Sequence, residues 1–356
     1  LSLTGGSGTG TGNGAGIVQR GAAGTQNVTV NNGGSIILLG GSTAGAAVSG
    51  RGSLTSLESL GVSQSINFTA AGNIQLTGGT LGTGNRTIIY ANNNGAQSIT
   101  GVNLIQLVGG ASGGSSSDGN DAVIETQSGN QAITAQTITI QGGPGGAFNG
   151  ADFGVNSGGT GSQTITANTI TLQGSAAGTN NGAVLYNASG NQTVNVGAGG
   201  LSLTGGGGGV SDLQNAAVIF QKAGTGTQTV NVAGGGAITL QAGSGAASTV
   251  GYDGNGLSNG SFASIVSRGT AQQINFTAAG GTISAKGGTV GSNNLTSIQA
   301  TGAQTITGSV LANAPAITLR GGDSGGVTTE GNRAVIVSDT GNQSITAAAI
   351  SLQGGD

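Results

Sequence analysis

The feature that most constrains this chain is a glutamine followed two residues later by Ile or Val. It recurs at Gln26, Gln64, Gln97, Gln131, Gln163, Gln192, Gln228, Gln272, Gln304 and Gln343. The mean spacing is about 35 residues, a period in the range of solenoids and propellers. The clearest copy runs Gln163-Thr164-Ile165-Thr166-Ala167-Asn168-Thr169-Ile170-Thr171-Leu172-Gln173-Gly174. Apolar residues occupy alternate positions on both sides of a short corner. A period of two is that of a strand with one buried face.

Each repeat reads as three short strands. The anchor Gln opens the first. The second ends in Leu-x-Gly-Gly or a variant, at Leu38, Leu76, Leu107, Ile140, Leu172, Leu203, Leu240, Leu319 and Leu352. A variable Gly/Ser/Asn loop follows, typified by 109–120 and 142–151. A third apolar patch precedes the next anchor, as in Ala122-Val123-Ile124, Ala183-Val184-Leu185, Ala217-Val218-Ile219 and Ala334-Val335-Ile336. Three strands with turns between them describe one coil of a parallel β-helix, and the anchors give about ten coils. No stretch holds a 3.6-residue period long enough for a helix. A propeller blade needs four strands and usually aromatic signatures, which are lacking.

A longer period overlies the first. Leu1-Ser2-Leu3-Thr4-Gly5-Gly6 matches Leu201-Ser202-Leu203-Thr204-Gly205-Gly206, and Gln64-Ser65-Ile66-Asn67-Phe68 matches Gln272-Gln273-Ile274-Asn275-Phe276. Six coils therefore make a super-repeat of roughly 200 residues. The expected organisation is one continuous solenoid over 1–356, with 1–200 and 201–356 as successive partial super-repeats. The chain opens and closes within repeats, so the sequence reads as a segment of a longer or processed protein. No capping element is visible, and an uncapped solenoid continues covalently or stacks on another copy.

Strand alternation puts the anchor Gln, the next Ile or Val, and the residue at Gln+4 on one face, which we place inward. The stacked apolar set is Val28, Ile66, Ile99, Ile133, Ile165, Val194, Val230, Ile274, Ile306 and Ile345. Coils about 4.8 Å apart would let the inward Gln amides hydrogen-bond along the axis. Ser, Thr and Asn at Gln+1 and Gln+3 face outward, for example Thr164 and Thr166.

Composition excludes several function classes. The 78 glycines suggest low complexity, yet charged residues are only 5% and Ile, Val and Leu keep fixed spacing, which is unlike a disordered chain. A formal charge of −3 gives no basic footprint for nucleic acid. No apolar run is long enough for a transmembrane helix, so membrane insertion is not expected. No secretory leader pattern opens the sequence. With no Cys, disulfides and thiolate metal sites are impossible.

Catalytic chemistry is sparse. His is absent, which removes the commonest general base. The carboxylates are Glu58, Asp118, Asp121, Glu125, Asp152, Asp212, Asp253, Asp323, Glu330, Asp339 and Asp356. Most fall in loops at unrelated phases of the repeat, so neither an active site nor a cofactor or metal site is expected. Asp118-Gly119-Asn120-Asp121 is the most calcium-like fragment, but a loop turn explains it as well. Gly205–Gly209 lacks the Lys-Ser/Thr of a phosphate loop. Thr-x-Thr pairs such as Thr137/Thr139 and Thr305/Thr307 suggest a flat hydroxyl array for ice or crystal surfaces, but only some coils carry them.

Phrases such as Phe68-Thr69-Ala70-Ala71-Gly72-Asn73-Ile74-Gln75-Leu76-Thr77-Gly78-Gly79 and Ile238-Thr239-Leu240 resemble filamentous-haemagglutinin-like exoproteins of Gram-negative bacteria and the passenger repeats of autotransporter adhesins. The resemblance implies a right-handed parallel β-helix, export through the outer membrane, and a role in adhesion, aggregation or an extracellular fibre. The expected function is an extracellular β-solenoid filament or adhesin shaft at the bacterial cell surface, self-associating end to end. The alternative is a surface adhesin that grips a glycan or host protein through its loops.

Overall fold

A computed structural model describes residues 1–7, 13–42, 53–92, 94–115, 119–156, 160–188, 190–207, 215–222, 224–244, 260–291, 294–323 and 331–355. Asp118, Asp212, Asp253, Glu330, Asp356, Gly208 and Gly209, named above, lie outside the described residues.

The chain is a right-handed parallel β-helix. Every strand pair is parallel, and the strands form two sheets, one of sixteen strands and one of ten. The first and second strands of each coil belong to the larger sheet, and the third strand forms the smaller one. Between the ten anchors lie about nine complete turns, slightly fewer than the ten coils expected, because anchors delimit intervals.

The first two of the three strands of a coil are not separated by a turn everywhere. In Ser63–Thr77, Ala96–Val108, Gln131–Gln141, Gln163–Gln173 and Gln192–Thr204 the first two strands run on as one bent strand. The corner between them absorbs length differences. Opposite Gln131–Gln141 the register slips between Ile133 and Ala135, yet Gln131 still pairs with Gln97 and Ile140 with Leu107. A bulge confined to the corner leaves both flanking strands in register. At Thr227–Val232 and Ala237–Gln241 the corner is a turn, and the strands are distinct.

Like residues stack on like residues. Ile36, Ile74, Ile105, Ile138, Ile170, Leu201, Ile238, Ile283, Ile317 and Ile350 form one column of the second strand. The next column is the Leu series, with Ala285 in the slot that every other coil of this series fills with Leu or Ile. Apart from Ile350 and Leu352, which are exposed on the last coil, these residues belong to or pack against a single core that runs through the described coils. Burying each Ile or Leu contributes about 1.5–3 kcal/mol, so cohesion accumulates coil by coil.

The third strand is more regular than its sequence suggests. Thr55–Ser59, Thr87–Ala91, Ala151–Val155, Ala263–Ser267 and Thr296–Ala300 occupy the same register as the apolar patches recognised above. Polar outward residues (Ser56, Asp152, Ser264, Ser297) interrupt their apolar runs, which hides them in sequence. Ala122–Thr126, Ala217–Gln221, Ala263–Ser267 and Thr296–Ala300 are buried on both faces. A second apolar cluster of Ala216, Val218, Phe220, Phe262, Val266 and Leu295 lies on their outer side.

Candidate functional sites: two amide ladders and an ionisable face

The ten anchor glutamines occupy one column inside the larger sheet. Gln64, Gln97, Gln131, Gln163, Gln192, Gln228, Gln272 and Gln304 are at most 1% exposed. Gln26 is buried at the start of the column, and Gln343 is exposed at its other end. Each Nε2 donates to the Oε1 of the preceding glutamine at 2.7–2.8 Å, without a break from Gln343 to Gln26. The second Nε2 hydrogen reaches third-strand carbonyls, as in Gln272 to Gln299 O at 3.0 Å and Gln304 to Ile298 O at 3.1 Å. The ladder thus ties the two sheets together as well as adjacent coils. A buried amide is tolerated because its donors and acceptor are satisfied, and aligned amide dipoles strengthen one another.

The apolar partners sit beside it. Ile66, Ile99, Ile133, Ile165, Val194, Val230, Ile274 and Ile306 are at most 1% exposed. Val28 and Ile345 are part-buried and pack against the same core.

Sequence reasoning missed a second ladder. Asn85, Asn120, Asn149, Asn181, Asn215 and Asn294 are 0% exposed and Asn332 is 7% exposed, each two residues before a third strand. Each Oδ1 accepts the backbone N–H of the equivalent residue one coil earlier, as in Asn149 N to Asn181 Oδ1 at 2.8 Å and Asn181 N to Asn215 Oδ1 at 2.9 Å. Ser261 and Ser53 stand in this register and still donate their backbone N–H to Asn294 and Asn85. The Nδ2 groups hold the carbonyls of the preceding loop. Asn149 donates to Gly145 O at 2.7 Å and Asn120 to Ser112 O at 2.8 Å. The signal in the sequence was Asn-x-Ala or Asn-x-Thr at a fixed distance before each third strand. Loop variability obscured it.

This arrangement predicts a specific outcome for Asn181→Ala. It leaves the Asn149 N–H without its acceptor and removes one donor each from the Gly145 and Ala177 carbonyls, which Asn149 Nδ2 and Ser175 Oγ still hold. A loss of about 2–4 kcal/mol is expected, with faster amide exchange confined to the adjoining loops. Exchange mass spectrometry checks both.

The expectation that carboxylates lie at unrelated phases is overturned for most of the described ones. Glu58, Asp121, Glu125 and Asp152 gather on the outward face of the smaller sheet, leaving Asp323 and Asp339 elsewhere among the described carboxylates. Register explains the gathering. Glu58, Tyr90, Glu125, Gly154, Tyr186 and Phe220 form one outward column, and Ile88, Val123, Asp152, Val184 and Val218 form its neighbour. Without the third-strand register of Glu58 and Asp152, their common face was not readable.

Arg86 Nε lies 3.3 Å from Asp121 Oδ2. Asp121 Oδ1 accepts the Gly150 N–H at 3.1 Å. The Tyr186 hydroxyl donates to Glu125 Oε1 at 3.0 Å, two coils away. Tyr186 reaches that far because its ring lies over Gly154, where a Cβ would stand 2.6 Å from the ring atoms. Burial raises the Glu125 pKa above the usual carboxylate range, opposed by the Tyr186 hydrogen bond and Arg86. Burial, then the Asp121 and Glu125 charges, push Asp152 up to about 7. Burial and the Glu125 charge raise the Tyr186 phenol, so it stays protonated.

The pH dependence follows with a definite sign. Below about 4 the Asp152 carboxyl is protonated in both folded and unfolded chains. Between there and about 7 the unfolded chain releases its proton while the folded chain retains it. Stability therefore falls as pH rises through this window. Asp152→Asn is expected to flatten the decline, read from thermal midpoints at pH 4, 5.5 and 7.5.

Elsewhere Asp323 accepts from Lys286 Nζ and pairs with Arg320 Nη2, both at 2.8 Å. The Lys286 hydrogen bond lowers the Asp323 pKa. Among the described residues no group of His, Cys, Asp or Glu has the geometry to hold a metal, and no helix is long and apolar enough to cross a membrane. No family model, curated protein or solved structure matches the chain.

Proposed function

We propose that the chain is the filament-forming shaft of a secreted bacterial surface protein, non-catalytic and without a cofactor. The observation that carries this reading is the unbroken axial glutamine ladder beside homotypic apolar columns. Every coil offers the next one the same cross-section, so length is extended by adding coils without redesigning the core. The same property supports end-to-end joining of copies into a filament. The likeness of the Phe68–Gly79 stretch to filamentous-haemagglutinin-like and autotransporter passenger repeats supports an extracellular location. Negative-stain electron microscopy of the purified chain should show thin rods, with end-to-end multiples at higher concentration. Compact particles of ordinary globular outline would overturn the reading.

A second reading, an adhesin that binds through its loops, has its own observation. Ser115 and Gly119 from the loop 109–120, and Phe148 and Gly150 from the loop 142–151, border one cleft on the smaller sheet. Deleting both loops should abolish binding to cell-surface material. Retained binding counts against it.

A further inference from the structure

That cleft has a volume of about 420 Å3 and lies across the outward face of coils carrying Asp121, Asp152, Val184 and Val218. Its chemistry is lopsided. Asp121 and Asp152 line it, Glu125 stands in the column beside Asp152, and Glu58 and Glu125 line the adjoining cleft. Arg86 is the one cation lining either cleft among the described residues, and it is paired with Asp121. The Tyr186 hydroxyl is directed to Glu125. Among the described residues no group donates a hydrogen bond to the Asp152 carboxyl, although protein atoms crowd it where it lines the cleft. Burial, and after it the Asp121 and Glu125 charges, disfavour the ionised carboxyl, and Arg86 offsets them only in part.

The geometry also says where a counter-charge would sit. A Cβ built on Gly150 would stand 3.8 Å from both Asp121 Oδ1 and Asp152 Oδ1. The two carboxylates thus flank a glycine, with no side chain between them. The far wall is apolar: Val184, Val218 and Phe220. Arg268 already lies over the Phe220 ring, 5.1 Å from its centroid, which shows that this wall tolerates a cation.

The structure assigns to this cleft the binding of a primary ammonium group on an apolar stem, as in a lysine side chain of a partner protein. The ammonium sits between Asp121 and Asp152, and the stem lies along Val184 and Val218. An ammonium supplies three donors, enough to reach Asp152 and to add to the Gly150 and Arg86 contacts of Asp121, and a charge-assisted pair in a partly desolvated cleft is stronger than one in water. A divalent metal is the weaker fit, because no group of described carboxylates has metal-holding geometry. The assignment deepens the loop-binding reading and rests on it, but it is independent of rod formation.

The test uses the full chain, titrated with Nα-acetyl-lysine methylamide and with its Nε-acetylated, uncharged counterpart. Side-chain carboxyl carbon shifts report Asp152 directly. The charged probe is expected to lower the titration midpoint of Asp152 and to shift its resonance saturably, while the neutral probe does neither. Asp152→Asn, which keeps the shape, should weaken the charged probe about tenfold or more. Asp339→Asn should leave binding unchanged. Equal response to both probes, an unaltered response in Asp152→Asn, or a response to calcium chloride alone overturns the assignment. Loop-dependent binding to cells that persists while the amine is ignored refutes the ammonium site and leaves the adhesin reading standing.

Discussion

Gln163→Ala is expected to lower stability by about 3–5 kcal/mol, more than a typical single substitution. Gln163 is 0% exposed near the middle of the ladder. Its Nε2 donates to Gln131 Oε1 and its Oε1 accepts from Gln192 Nε2, both at 2.8 Å. Removing the amide leaves an acceptor and a donor buried, each costing about 1–3 kcal/mol, and opens a void between two Gln side chains. Gln163→Leu separates the two effects. It refills most of the void but restores neither hydrogen bond, so most of the loss should persist. Gln343→Ala, at the exposed end of the ladder, breaks the Gln304 contact and a long 3.4 Å bond to Ile336 O where water can replace them, and should cost far less. A solenoid need not unfold in one step, so denaturation midpoints should be read with amide exchange. The central substitution should loosen coils on both sides of Gln163. An equal effect at both positions would mean that the ladder contributes through local burial alone.

Gly142→Ala is expected to be at least as damaging as many core truncations, at roughly 3 kcal/mol or more, although it adds only one carbon. A Cβ at Gly142 would stand 1.8 Å from Asn181 O and 2.6 Å from Asn181 C. Both are backbone atoms, and Asn181 O is held by the Ser175 N–H at 3.0 Å. Relief therefore requires moving a residue of the asparagine ladder in the next coil. Gly78, Gly109 and Gly174 occupy the same place after the second strand and meet the same carbonyl of Asn120, Asn149 and Asn215 at 1.9–2.0 Å. Gly280, with no atom within 4 Å of its would-be Cβ but a φ of +84, provides a contrast. Gly280→Ala meets backbone strain without a clash, about 1 kcal/mol. Comparing thermal midpoints of the two variants separates the glycines needed for close approach from those needed for a turn.

The solenoid was legible because its signals are periodic. The Gln-x-Ile spacing marks the first strand wherever it occurs, and alternation around it assigns faces without knowledge of the rest of the fold. Leu-x-Gly-Gly marks the second strand by the same logic. Its Gly follows because the coil turns where the carbonyl of the neighbouring Asn comes closest. The third strand was only half legible. Where Asp152 or Ser264 faces outward, the apolar run is broken, and the inward Phe153 and Ile265 look isolated. The asparagine ladder escaped for a related reason. Its residues stand in loops of changing length, so their spacing from the preceding strand is not constant, and only the distance to the following strand is.

What the sequence by itself determined was the periodic part: parallel stacking, the inward glutamine and isoleucine columns, and the poverty of catalytic side chains. Local alternation and a constant repeat suffice for these, since each coil meets only near-copies of itself. Only the tertiary structure decided what meets across coils. It placed Asp121 and Asp152, from two successive coils, around one glycine-floored cleft with Glu125 in the adjoining one, and it laid Tyr186 over Gly154 to reach Glu125. Such contacts depend on the register of strands dozens of residues apart and on a missing side chain between them, and no pattern within a single repeat encodes either.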